Sequence, residues 1–195
     1  MVSAAPSSAS SHLELRMMGM VFTELLDMVE DKFSLDMVDA VVARAGAKGS
    51  YTSVGNYDDA ELVKLVVALG DETGIPVPQL LHTYGVHLFG RFVALFPGFF
   101  APHDTAAGFL AGLESHVHTE VRKLYTNARP PLFSLQRNDD GSYFLDYRSA
   151  RGLWQFAHGL IEACLAHFGS IQKILDVRDL SDGAGTHVRF VLVDT

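Results

Sequence analysis

Phe133-Ser134-Leu135-Gln136-Arg137-Asn138-Asp139-Asp140-Gly141-Ser142-Tyr143-Phe144-Leu145-Asp146-Tyr147-Arg148-Ser149 is the stretch whose reading decides the fold. Its flanks, Phe133 to Arg137 and Tyr143 to Ser149, enclose a cluster of turn residues from Asn138 to Ser142, which predicts a β-hairpin. The patterned segments before it have a helical period. From Met17 to Asp31 apolar residues recur at Met18, Val21, Phe22, Leu25, Met28 and Val29, the stripe of an amphipathic helix. Further helices are predicted over Met37 to Ala45, from Ala60 to Leu69 and on to Thr73 behind a cap at Asp58 or Asp59, and from Pro78 to Phe96. Gly46 to Asp58 reads as a loop. Asp104 or Thr105 can cap the helix that carries His116 and His118 as far as Leu124. After the hairpin, Arg151 to Phe168 reads as a helix, and Ile171 to Arg178 with Thr186 to Val193 as a second antiparallel pair around Asp182-Gly183-Ala184-Gly185. Helices first and strands later predict an α+β fold, with an N-terminal helical subdomain followed by a helix-plus-antiparallel-sheet subdomain.

Composition narrows the function. The 195 residues are 48% hydrophobic with 13 Phe, enough for one good core or two small subdomains. A formal charge of -8 and only 15 Lys plus Arg, with no basic run, argue against nucleic acid as a partner. The single cysteine, Cys164, excludes an intramolecular disulfide and a multi-cysteine zinc site, and it reads as a buried small hydrophobe. Met1 to Arg16 is Ala/Ser-rich without the basic leader and apolar core of a signal peptide, so residues 1–16 are expected to be a disordered tail and 17–195 the folded domain. No stretch approaches the roughly 18 apolar residues of a membrane span, and a cytoplasmic protein without membrane insertion is expected.

Tyr147, Ser149 and Arg151 sit two apart. On an extended chain alternate side chains share a face, so Tyr147 and Ser149 offer two hydroxyls together, and Arg151 adds its guanidinium if the strand reaches that far. Such a set suits carboxylates. Taken alone it reads more plainly as a surface strand edge. Upstream, the stripe Leu110, Leu113, Val117, Val121 and Leu124, placed at about 100° per residue, puts His118 near the edge of the apolar face and His116 well outside it. From that spacing alone a core-boundary histidine is the plainer reading of His118.

The segments Leu113-Glu114-Ser115-His116-Val117-His118-Thr119-Glu120-Val121-Arg122-Lys123-Leu124-Tyr125, Pro130-Pro131 and Tyr147-x-Ser149-x-Arg151 occur in this order and spacing. With Met18-Gly19-Met20-Val21-Phe22, Met28-Val29-Glu30-Asp31-Lys32-Phe33 and Tyr84-Gly85-x-His87-Leu88-Phe89-Gly90-Arg91-Phe92, the chain resembles the heme nitric oxide/oxygen binding (H-NOX) family from about Met17 onward. It looks like a free-standing bacterial member, related to the heme domain of soluble guanylate cyclase. The resemblance implies heme b with His118 as the axial iron ligand. The sequence has no Cys-x-x-Cys-His, so the heme is expected to be non-covalent. Tyr147, Ser149 and Arg151 would hold the propionates and Pro131 would press on the macrocycle. Val21, Leu25, Leu88, Phe156 and Leu160 would line the gas side. Oxygen-binding relatives carry a tyrosine at the place of Phe156, so nitric oxide and carbon monoxide are the expected ligands and oxygen is excluded. The resemblance further implies a sensor without catalysis, signalling through movement of the His118 helix to a separate histidine kinase or cyclic-di-nucleotide enzyme. The cysteine-rich zinc site of some relatives is missing, since His187 is the only plausible ligand between Asp176 and Val188, and no structural zinc is expected. A rival reading is a small-molecule carrier, or an enzyme using Glu114, His118 and Arg151, the first two adjacent at i and i+4.

Overall fold

The computed structural model of the chain describes residues 16–124 and 129–194, and the expected tail through residue 15 lies outside them. The helical half opens with a short strand, β1 (Arg16–Met18), followed by α1 (Gly19–Lys32) and α2 (Leu35–Ala45), then β2 (Asn56–Asp58), α3 (Asp59–Thr73) and α4 (Val77–Leu95). Two differences from the sequence reading share one cause. β1 pairs with β2, Arg16 opposite Asp58 and Met18 opposite Asn56, so Arg16 to Met18 are extended and the first helix begins at Gly19. Gly19 is required there, because a Cβ on it would lie 1.9 Å from the Thr52 carbonyl oxygen. α3 runs as predicted between its caps: Asp58 accepts from the Ala60 N–H at 3.0 Å, and Gly74 ends the helix at φ 72°.

The second half comprises α5 (Pro97–Phe100), α6 (Ala106–Gly112), a π-helical segment (Leu113–Val117), α7 (His118–Leu124), β3 (Leu132–Arg137), β4 (Tyr143–Arg148), α8 (Trp154–His167), β5 (Gln172–Asp179) and β6 (His187–Asp194). The four long strands form one antiparallel sheet in the order β3-β4-β6-β5. The predicted α+β architecture is therefore the observed one, and both hairpins fall within a residue or two of their predicted bounds. A single helix from the Thr105 cap to Leu124 is not observed, since the π-helical segment interrupts it.

Two apolar cores meet along α4. One buries Phe22, Leu25, Leu62, Leu65, Leu69 and Tyr84 among α1, α3 and α4, and the other buries Phe109, Leu145, Tyr147, Ile161, Cys164 and Phe190 between α6, α8 and the sheet. Leu88 belongs to the first core and its neighbour Phe89 to the second. α4 also crosses α8 at close quarters, and that crossing fixes one wall of the space between the cores. Among the described residues no helix is long and apolar enough to cross a membrane.

Candidate cofactor cavity

Between the two cores lies a cavity of about 470 Å³, within the range that suits a small ligand or cofactor. Its wall is overwhelmingly apolar. Among the described residues, those on the wall with polar side chains are Ser53, His118, Arg129, Tyr147, Ser149 and Arg151.

His118 opens α7, and its side chain is only 12% exposed. The π turn puts it there. The His118 N–H returns to the Leu113 carbonyl, five residues back, where an α-helix would return four. Each such turn accommodates one additional residue, so a uniform helical count misplaces everything after it. The His118 Nδ1 lies 2.7 Å from Glu114 Oε1, and that same oxygen accepts the backbone N–H of Phe133 at 3.0 Å. A carboxylate accepts, so Nδ1 carries the proton and donates, and Nε2 keeps its lone pair. Burial pushes the His118 pKa below its usual value, opposed by the hydrogen bond and charge of Glu114. The imidazole is thus held neutral, with one nitrogen fixed and the other available. His116 is exposed, its Nδ1 beside the Ser115 hydroxyl at 2.9 Å and the Gly112 carbonyl at 3.1 Å.

The hydroxyl-bearing end of the cavity is set by the end of β4. Tyr147 is 2% exposed and packs on Phe133 across the hairpin, ring centroids 5.6 Å apart. The strand stops at Arg148, so Arg151 arrives by a turn rather than by alternation: the Gly152 N–H bonds back to the Ser149 carbonyl at 3.3 Å. The Arg151 side chain, 8% exposed, donates from Nε to Asp59 Oδ2 at 2.5 Å and from Nη1 to the Arg129 carbonyl at 2.5 Å. It therefore ties the sheet to the first turn of α3. Arg129, whose carbonyl accepts from Arg151, and Ser53, near the start of α1 where its carbonyl accepts the Met20 N–H at 3.1 Å, also line the cavity. Neither stood out in the sequence, since neither belongs to a spaced pattern. Pro130 and Pro131 line the same cavity.

A further part of the wall is built from α1, α4 and α8. Val21, Leu88, Phe156 and Leu160 line it, whereas Leu25 is buried one turn further along α1 in the helical core and does not reach the cavity. None of these side chains carries a hydrogen-bond donor. The buried phenol stacked on Phe156 does not supply one either, because Tyr84, its ring 5.2 Å from that of Phe156, donates to the Val21 carbonyl. Cys164 also faces the cavity, its thiol pushed up to about 12 by burial and so kept protonated.

An apolar cavity with one fixed imidazole on its wall and three hydroxyl-bearing residues and two arginines elsewhere fits a planar dicarboxylate macrocycle such as heme. Comparison with known proteins agrees with that chemistry. Residues 18–175 match the family described as Haem-NO-binding. The fold superposes on the Fe(II) unliganded H-NOX protein of K. algicida with a TM-score of 0.84 and 35% identity, covering 92% of this chain and 97% of that one. It superposes on the H-NOX of Shewanella woodyi, solved with IWP-051 in the Fe(II)CO state, with a TM-score of 0.78 and 33% identity, covering 92% and 95%. The guanylate cyclase soluble subunit beta-2 of Homo sapiens is 33% identical over 91 residues, 44% of this chain and 15% of that protein's length. With the family's sequence pattern spanning most of the chain and its fold reproduced throughout, this protein belongs to the heme nitric oxide/oxygen binding family of heme-based gas sensors.

Proposed function

We propose that the chain holds one heme b non-covalently, with His118 as the axial ligand of its iron, and acts as a nitric oxide sensor that also takes carbon monoxide and excludes oxygen. The observation that carries this reading is the His118–Glu114–Phe133 relay, which fixes Nδ1 by a 2.7 Å contact and leaves Nε2 free on an apolar wall. When bound, the heme supplies an iron with an open position for a diatomic gas. The chain supplies the rest. Tyr147, Ser149 and Arg151 bind carboxylates, Pro131 packs on the ring, and Val21, Leu88, Phe156 and Leu160 exclude water from the gas side, with Leu25 backing them. Dioxygen would be favoured by a hydrogen-bond donor beside its site, which these residues lack; nitric oxide and carbon monoxide would depend on one far less. The S. woodyi relative, described in an Fe(II)CO state, supports the gas-binding part.

α7 is the output element in this reading. His118 is its first residue and the π turn behind it is a weak point in the helix, so a change at His118 can move α7 against β3. A separate histidine kinase or cyclic-di-nucleotide enzyme would receive that movement, in the cytoplasm. The chain itself catalyses nothing. Glu114 already accepts from two groups and Arg151 is paired with Asp59, which weighs against the acid–base enzyme as a rival.

Absorption spectroscopy of the reduced, heme-loaded protein tests the reading. A Soret band that shifts with nitric oxide and with carbon monoxide but not in air is expected. His118→Ala should abolish the axial signature and His116→Ala should leave it. A stable oxy spectrum in air would sink the selectivity, and failure to take up heme would sink the whole proposal.

A further inference from the structure

Away from the cavity, α4 and α8 bring together three side chains that the heme reading does not use. The two helices touch backbone to backbone at Gly85 and Gly159. A Cβ on Gly159 would lie 2.0 Å from the His82 carbonyl oxygen, and one on Gly85 would lie 2.2 Å from the Phe156 carbonyl oxygen. This contact presses the His82 turn of α4 against the His158 turn of α8. On α8, His158 and Glu162 are at i and i+4 and so share a face. The His82 Nε2 lies 2.7 Å from Glu162 Oε2, and the His82 and His158 rings meet edge to face at 4.9 Å. One ligand atom from each of the three lies within 4.8 Å of the other two.

The geometry points to His82, His158 and Glu162 as a binding site for a divalent transition-metal ion of the zinc class, bridging α4 and α8. Two imidazoles and one carboxylate, with a fourth position left to water, are a ligand set zinc takes readily. Around a tetrahedral ion with bonds of about 2.0–2.1 Å, ligand atoms stand roughly 3.3 Å apart. The present spacing brackets that value, and the correction falls on Glu162, which is 57% exposed and able to change rotamer. The histidines are better fixed. His158 lies beside Trp154 with rings 6.5 Å apart at 20°, and near Phe190 at 5.6 Å, so its ring is held before any ion arrives. A neutral imidazole has a lone pair to give to an ion. A hard cation such as magnesium, which favours oxygen ligands, is disfavoured by the same set.

The consequence is mechanical. An ion here would pin α4 to α8 at the crossing whose inner side carries Leu88, Phe156 and Leu160. Equilibrium dialysis of the heme-loaded protein against micromolar zinc, with elemental analysis of the retained metal, tests the site. One zinc per chain is expected for the wild type, at least about tenfold weaker retention for His82→Ala and for Glu162→Gln, and no change for His103→Ala. Zinc should raise the thermal unfolding midpoint of the wild type and not that of His82→Ala, as mass action requires of an ion held by the native state alone. Magnesium should do neither. Both substituted side chains are partly exposed, so the variants are expected to fold, and circular dichroism checks this. Retention of zinc by His82→Ala and Glu162→Gln at the wild-type level, or no zinc on the wild type, would leave the trio an ordinary histidine–glutamate ion pair and overturn the proposal.

Discussion

Arg151 carries a charge whose partner sits in the other half of the chain. Asp59 is 92 residues away in sequence, and the pair is nearly buried, at 8% and 14% side-chain exposure. Removing one member of a buried ion pair leaves the other desolvated and unpaired, at a cost of about 3–5 kcal/mol for a fully buried case and somewhat less here. Arg151→Ala is therefore expected to lower the urea midpoint strongly as well as weaken heme retention. The double variant Arg151→Ala with Asp59→Asn should recover part of the stability, because the stranded carboxylate is gone, and none of the retention. Equal instability in the single and double variants would show that the pairing does not matter. Alternation in the sequence placed Tyr147 and Ser149 together, and they do line one cavity. It reached Arg151 only on condition that the strand did, and since the strand ends at Arg148 a turn delivers that residue instead. No local pattern could have named Asp59 or Arg129, which reach the site only through the tertiary fold.

The element on which the site turns is the π-helical segment Leu113–Val117. An α-helix advances about 100° per residue, so absorbing one residue in a wider turn rotates all that follows by about that angle. Deleting Ser115, which is exposed, should let the segment close into regular α-helix and swing the His118 ring away from the cavity. The deletion variant is expected to keep its helical circular dichroism and lose the axial histidine signature, while Ser115→Ala keeps both. A native axial spectrum after deletion would mean that the neighbouring contacts of Glu114, not the turn, set the position of His118. The same turn explains why helical spacing left His118 at the edge of the apolar face: the stripe is regular on either side of the segment, and a π turn has no composition of its own. β1 and β2 escaped for a related reason, since three-residue strands are too short to show a period. The long helices and both hairpins were legible because each repeats its period several times between recognisable caps or turns, as α3 does between Asp58 and Gly74.

At the scale of the whole molecule, the cavity separates two cores that share α4, and its size bears on stability. At about 24 cal/mol per Å³, leaving 470 Å³ dry and rigid would cost on the order of 10 kcal/mol, as much as the entire stability of a typical domain of about 5–15 kcal/mol. A chain with this sequence cannot keep that space open and empty at such a cost. It must fill the space with a ligand, admit water along an apolar wall, or let the cores slump together. Heme removal is therefore expected to leave a loosened state in which the secondary structure persists and the tertiary packing around Phe109, Tyr147 and Phe156 does not. The far-ultraviolet circular dichroism of the heme-free protein should stay near that of the loaded form. Its near-ultraviolet signal should collapse, a dye for exposed apolar surface should bind, and stoichiometric hemin should reverse both changes. Ligand linkage gives the scale of the stability difference, about 4 kcal/mol when free heme is about a thousand times its dissociation constant. Heme-free protein with a native near-ultraviolet spectrum and the urea midpoint of the loaded form would show that the two cores hold the cavity open by themselves, and that the ligand is a guest of the fold rather than part of its core.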